Sequence, residues 1–463
     1  MKNIRSVSIL AFAFLINSMA ARGMESVQCV PDYAKPMGQC IATGQPGSGT
    51  WTLRANVVVD RHILVGGAVE IKADGTIGKV ACDGELPSGP MLDCPGTVVT
   101  AGLINLHEHL NYSTGRPLPP PLHAMQSHHD WQRDPSIWGG QEVIRTGRRE
   151  PIGLVELRYL LGGTTTIAGR GQAKGLTRNP DAGWFPAVTN VTFPFGRSTA
   201  QTPAGCDSRR ILKGDRPTLV HAGEGTDDDA AAEMDCLLAS REAYLQTEPL
   251  VFVHAMNVDA ARAEHMARAH VSVLWSPRSN MVLYGTSAPI ALLRRHGVPV
   301  SLGTDWLPSG SPTLLDEARF ARALVSGSDA IDEIDLLDMM TTSPAAAIGM
   351  QAHIGRITQG AYADLAGFRL RGDASDAVHS VIEARPADTA FVMVGGALRV
   401  VGADARHALR EAIEADHCVE LPKGQCLPDA YACGPGYLRS ALVRTDALGM
   451  LCPALDANAA VLQ

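Results

Sequence analysis

The chain lacks any Lys/Arg run longer than a pair and carries a formal net charge of −8, so it offers no surface that would track phosphates, and nucleic acid is not an expected partner. None of its 10 cysteines forms a Cys-x-x-Cys pair, which removes zinc-knuckle and thioredoxin-like redox readings. Beyond the N-terminal segment no stretch reaches the roughly 18 apolar residues of a membrane span, so the mature chain is expected to have none. Low complexity is absent as well. Hydrophobic residues make up 45% and charged residues 19%, with 46 glycines and 29 prolines, the composition of a well-cored globular chain with many turns. The 463 residues exceed one ordinary domain and suit an α/β barrel of about 250 residues plus a smaller companion.

Lys2 and Arg5 precede a short apolar stretch, Ser6 to Ile16, followed by the small residues Ser18 and Ala20. This order predicts a signal peptide over residues 1–20 and an exported protein, periplasmic or secreted. An even number of cysteines fits an oxidising compartment and structural disulfides. Cys29 with Cys40 and Cys82 with Cys94 are the expected local loops; Cys206 and Cys236 bracket a candidate active-site strand, and Cys418, Cys426, Cys433 and Cys452 crowd the tail.

Short strands broken by turns run from Trp51 to Val99: Ala55 to Val59, Ala68 to Ile71, the turn Ala73-Asp74-Gly75, and Gly78 to Ala81. A second such stretch, Gly355 to Val401, holds Asp364 to Phe368, Ala390 to Val394, the turn Gly395-Gly396, and Ala397 to Val401. Between them, apolar strand-length runs alternate with amphipathic helical runs, the pattern of βα units and a parallel sheet. The strand candidates are Gly102 to Leu106, Thr164 to Ala168, Val188 to Phe193, Thr218 to His221, Leu250 to His254, Val271 to Trp275 and Val298 to Leu302. An eighth, if the fold is a closed barrel, has to lie between Ala168 and Thr218. Helices are expected over Ile152 to Leu161, Asp227 to Leu245, Asp259 to Ala269 and Ala288 to His296, with acidic starts and glycine stops where dipole and capping physics favour them.

Four of the strand candidates, Gly102 to Leu106, Thr218 to His221, Leu250 to His254 and Val298 to Leu302, end in or run into ligand-type side chains, and the C-terminal ends of barrel strands converge on one mouth. The first ends in His107-Glu108-His109, in which residues two apart project to one side and can grip one cation. With 15 histidines in 463 positions about half a His-x-His pair is expected by chance, so the motif needs context. That context is His221 with Glu224 three residues on, His254 at another strand end, and Asp305 after Val298 to Thr304. Three histidines and a carboxylate suit one Zn²⁺ or Fe²⁺ with a position left for water.

From Trp51 to Val401 the chain resembles the amidohydrolase superfamily, in its mononuclear branch of cytosine deaminase and triazine hydrolase type. The resemblance is carried by Val99 to His109, His221-Ala222-Gly223-Glu224, His254-Ala255, Ser276-Pro277-Arg278-Ser279-Asn280, Gly303-Thr304-Asp305-Trp306 and Gly355 to Leu365. It implies a (β/α)8 TIM barrel, residues 101–353, flanked by a small β-sandwich built from residues 21–100 and 354–405, with residues 406–463 a cysteine-containing extension outside the family pattern. It further implies that His107, His109, His221 and Asp305 bind one divalent metal ion, zinc in the first place and iron(II) as the alternative. Glu224 would be the proton shuttle, His254 would polarise the substrate or hydrogen-bond the nucleophilic water, and Asp305 would share the base role. Asn280 and Trp306 are candidate substrate-binding residues. Binuclear relatives commonly use a carboxylated lysine; Lys174 and Lys213 are the only lysines between His109 and His221 and neither ends a strand candidate, so one metal is favoured.

The expected activity is therefore hydrolysis of a non-peptide C–N bond in a small, cyclic, nitrogen-containing molecule, by deamination or ring opening, using a metal-activated water. The alternatives are an acyclic amide or carbon–halide substrate at the same centre, or a secreted binding protein without catalysis. A small-molecule substrate is the expected partner, and a homo-oligomer is compatible with the sequence. Glu108 is read as structural, and His123, His128 and His129 as solvated loop histidines, with contact to substrate as the alternative.

Overall fold

The computed structural model describes residues 24–33, 38–47, 49–82, 89–118, 121, 123–133, 142–168, 175–180, 188–192, 212, 214–243, 247–326, 331–422, 427 and 429–453. The proposed signal segment, Cys206, Cys426, Lys174 and Lys213 lie outside the described residues.

All seven parallel-strand expectations are met: Leu103–Asn105, Thr164–Ile167, Thr189–Val191, Thr218–Ala222, Leu250–His254, Val271–Trp275 and Val300–Leu302 are strands. The last five form one parallel sheet in chain order, and the first two pair with each other. The two pieces meet where the Asp305 N–H donates to the His107 carbonyl at 2.8 Å, an approach allowed by Gly303, whose Cβ would stand 2.6 Å from His107 Cβ. Between Ala168 and Thr218 the described residues add one isolated parallel bridge, Thr166 with Arg178, beside Thr189–Val191. Leu250–His254 and Val271–Trp275 are buried and largely apolar on both faces, as in a sheet covered by helices. Leu219, Val251, Val253 and Leu274 pack inward with Ile104 and Leu106, while Val220, Phe252, Val273 and Trp275 pack outward among helices.

The helices Arg149–Leu161, Asp228–Ala243, Ala260–Arg268 and Ile290–Arg295 fall where capping and periodicity place them. Asp259, for example, accepts the Arg262 N–H at 2.8 Å as an N-cap.

The β segments of both chain ends share one 11-stranded sheet. Met91–Ala101 joins them, pairing with Trp51–Val59 on one side and with Leu365–Arg369, antiparallel, on the other. Gly395 and Gly396, at φ 59° and 73°, make the tight turn from Thr389–Val394 into Ala397–Val401. The tail extends this sheet through Tyr431–Ala432 against Ala397–Val401.

The two local disulfide expectations are wrong. The bonds are Cys29–Cys82 and Cys40–Cys94. Strand pairing decides this: Glu25–Gln28 and Ile77–Ala81 both pair with His62–Ile71, which brings Cys29 to Cys82, and Ile41–Thr43 pairs with Met91–Ala101 in a register that sets Cys40 opposite Cys94. In the tail Cys418 bonds Cys433; Cys236 and Cys452 are also disulfide-bonded. Among the described residues no helix is long and apolar enough to cross a membrane.

Candidate metal and catalytic site

His107, His109, His221, His254 and Asp305 come from four separate strand ends and meet in one place. His107 Nε2 lies 3.2 Å from Asp305 Oδ1 and 3.2 Å from His221 Nε2, and His109 Nε2 lies 3.3 Å from the same Asp305 oxygen. A tetrahedral zinc site with bonds of about 2.0 Å has ligand-to-ligand edges of about 3.3 Å, so these separations fit the group as they stand. Burial holds His107 below, and His221 and His254 well below, the usual histidine range, which leaves their nitrogen lone pairs available. Burial pushes the Asp305 carboxyl up, but His107, with hydrogen bonds from His107 and His109, outweighs it and holds the group well below the usual range.

His254 needs a break in its strand to take part. Its register partner is Ala222, and strict alternation would aim it outward with Phe252. His254 and Ala255 instead adopt φ of 75° and 46°, and the imidazole lies 4.9 Å from the His107 ring and 5.3 Å from the His221 ring. Asp305 is held at φ 59° as well. Left-handed backbone at non-glycine residues concentrates at functional sites because surrounding contacts must enforce it.

Glu224 faces His254, with Oε2 3.5 Å from His254 Nε2. Neither atom has a hydrogen-bond partner among the described residues although both are buried, so both are directed at whatever enters the site. Burial, reinforced by the negative Asp305, pushes the Glu224 carboxyl well above its usual range.

One short helix, Pro277–Tyr284, with the residue that precedes it, serves four of these groups. Ser276 Oγ lies 2.7 Å from His107 Nδ1, and the Ser279 hydroxyl donates to Asp305 Oδ2 at 2.6 Å. Asn280 Nδ2 donates to His254 Nδ1 at 3.1 Å, and the Tyr284 hydroxyl donates to Glu224 Oε1 at 2.6 Å. With its Nδ1 accepting, the neutral His254 carries its proton on Nε2, toward Glu224 and the mouth.

Trp306 follows Asp305 and forms an aromatic wall with Trp131 and Tyr112, at ring separations of 5.3 and 5.8 Å. Trp131 Nε1 also donates to the Tyr284 hydroxyl at 3.2 Å. Asn280 therefore reaches the site through His254, and Trp306 borders it. Glu108 points away, accepting from Ser113 and Tyr159. His123 is exposed, but His128 and His129 are buried at 2 and 3% exposure, which overturns the solvated-loop reading for those two. Sequence reasoning missed Ser276, Ser279, Tyr284 and Trp131. The two serines sit inside the quoted Ser276 to Asn280 motif; Tyr284 and Trp131 carry no local signal.

The arrangement is that of a TIM-barrel-type α/β protein whose mouth is competent to hold a metal ion. The family model described as Amidohydrolase family matches residues 213–399, and the resemblance to the amidohydrolase superfamily read from the sequence is borne out. The chain is 27% identical over 347 residues to the 5-methylthioadenosine/S-adenosylhomocysteine deaminase of Halobacterium salinarum, covering 64% of this chain and 79% of that protein. A zinc-bound adenosine deaminase from Xanthomonas campestris shares the fold at TM-score 0.60 and 19% identity, over 81% of this chain and 100% of that one. A triazine hydrolase variant does so at TM-score 0.59 and 19% identity, over 77% and 96%.

Proposed function

We propose that this chain is an exported metal-dependent amidohydrolase that hydrolyses a non-peptide C–N bond, releasing ammonia from an amino-bearing nitrogen heterocycle. The observation that carries the reading is the convergence of His107, His109, His221 and Asp305 at tetrahedral edge distances, with Glu224 facing His254 beside them. The deaminase names of its relatives support the reaction class, and the zinc in the Xanthomonas protein supports zinc over iron(II). The disulfides, which persist in oxidising compartments, support export to the periplasm or beyond. We further propose the closed (β/α)8 barrel over residues 101–353, with the sandwich of residues 21–100 and 354–405 beside it, as the full architecture.

His107, His109, His221 and Asp305 would hold a divalent ion, which would supply Lewis acidity and lower the pKa of water toward neutrality. Glu224, through the oxygen that faces His254, would take a proton from the attacking water and return it to the leaving nitrogen. His254 Nε2–H donates to the ring atom that gains charge, and Asn280 fixes the tautomer that makes this possible. Trp306, Trp131 and Tyr112 offer flat faces suited to a planar ring, which favours a heterocycle over an acyclic amide.

The test is metal analysis with an ammonia-release assay on purine nucleosides, cytosine, triazines and cyclic ureas. Glu224→Gln is expected to retain the ion and lose turnover by about 10²–10⁴-fold. Full turnover in that variant, or a metal-free protein after growth in zinc, would refute the assignment.

A further inference from the structure

We propose that His128, His129 and Glu233 form a second divalent-cation site, separate from the one at the barrel mouth and suited to Zn²⁺.

The three side chains are assembled by the backbone. Ser127 forms an antiparallel bridge with Gly225, the Thr226 N–H donates to the Gln126 carbonyl at 2.7 Å, and the His128 N–H donates to the Glu224 carbonyl at 3.1 Å. Gly225 permits this approach: its φ is +149°, and a Cβ there would stand 2.4 Å from the Gln126 carbonyl oxygen. Asp130 then accepts the Gln126 N–H at 2.8 Å, closing the turn that starts the helix His128–Arg133. The result lays two consecutive histidines against Glu233 of the helix Asp228–Ala243.

All three residues are buried, at 2, 3 and 2% exposure. His128 Nε2 stands 3.7 Å from Glu233 Oε1, the His128 and His129 rings are 4.1 Å apart, and one nitrogen or oxygen from each of the three lies within 4.8 Å of the others. A tetrahedral site has edges of roughly 3.3 Å, so the three donors lie within about 1.5 Å of that spacing. Two imidazoles and a carboxylate are a zinc-type donor set. Asp229, one helical turn before Glu233, has a buried Oδ1 with no hydrogen-bond partner among the described residues.

The site shares no residue with His107, His109, His221 and Asp305, so it is an independent ion and not the second half of a bridged pair. It is nevertheless tied to the mouth. Glu233 Oε2 accepts the Gly223 N–H at 3.2 Å, and Gly223 sits between His221 and Glu224. An ion here would clamp the helix carrying Trp131 to the turn carrying Glu224.

The test is anomalous diffraction at the zinc edge from crystals of the whole protein grown with zinc, paired with metal analysis after gel filtration. Two peaks and two zinc ions per chain are expected. Glu233→Gln and His129→Ala should each lose only the peak at Glu233, with zinc affinity there falling about 100-fold, while His107→Ala should lose only the other. No anomalous density between His128, His129 and Glu233 in the wild-type crystal at saturating zinc would overturn the proposal, a result that needs no variant to fold. Two retained ions in Glu233→Gln would do the same. Failure of the proposed function reads differently, as a missing peak at His107 and Asp305 whatever happens at Glu233.

Discussion

Glu224 and Tyr284 show how much of this site rests on single hydrogen bonds. The Tyr284 hydroxyl fixes one carboxyl oxygen of Glu224 and leaves the other facing His254. Tyr284→Phe keeps the ring and removes that anchor, so kcat is expected to fall about 10-fold or more with zinc content unchanged, as read by steady-state kinetics beside metal analysis. Glu317 makes a different prediction. Burial, which outweighs its hydrogen bonds from Ser311 and the Arg278 N–H, pushes its carboxyl up to about 7. Between about pH 4.5 and 7 the folded chain therefore holds a proton that the unfolded chain has released, and stability falls as pH rises through that window. The loss is on the order of 3 kcal/mol. Glu317→Gln should remove this part of the decline, so the gap between unfolding midpoints at pH 5 and pH 8 narrows; an unchanged gap would contradict the assignment. The ligand-type residues were legible in the sequence because each ends an apolar run. Tyr284 and Trp131 were not, because their partners lie 60 and 153 positions away.

At the scale of elements, the helix Pro277–Tyr284 and its preceding Ser276 are the common support of the site. Ser276, Ser279, Asn280 and Tyr284 each hold a different functional group. Groups that orient ligands tune metal affinity nearly as strongly as the ligands themselves. Ser279→Ala, which leaves Asp305 Oδ2 without its 2.6 Å donor, is expected to weaken zinc binding 10- to 100-fold in a chelator competition. The sequence showed the seven strands because buried parallel strands read as apolar runs. It placed His254 at the mouth but not the means: periodicity alone aims that residue outward, and the left-handed backbone at His254 and Ala255 reverses it. The disulfides failed for a related reason: proximity along the chain favoured Cys29 with Cys40, whereas sheet register brings Cys29 to Cys82 across 53 residues.

Across the whole molecule, both chain ends feed one sheet, and the tail continues it. Sequence patterning showed the two β segments but gave the tail no place, because its strands are two residues long. The tail is fixed by a buried cation. Arg158, only 1% exposed, donates to the carbonyls of Pro312, Ser113 and Met450 at 3.0, 3.0 and 2.8 Å. Arg158→Leu strands those carbonyls in a dry interior and should destabilise the fold by about 3 kcal/mol or more in denaturant titration.

That guanidinium has company. Ser113, whose carbonyl it holds, gives its hydroxyl to Glu108, the residue between His107 and His109. Met450 in the tail and the histidine pair at the mouth thus hang from one peg, and a nick near residue 450 should be felt as loosened ion retention before any loss of overall shape.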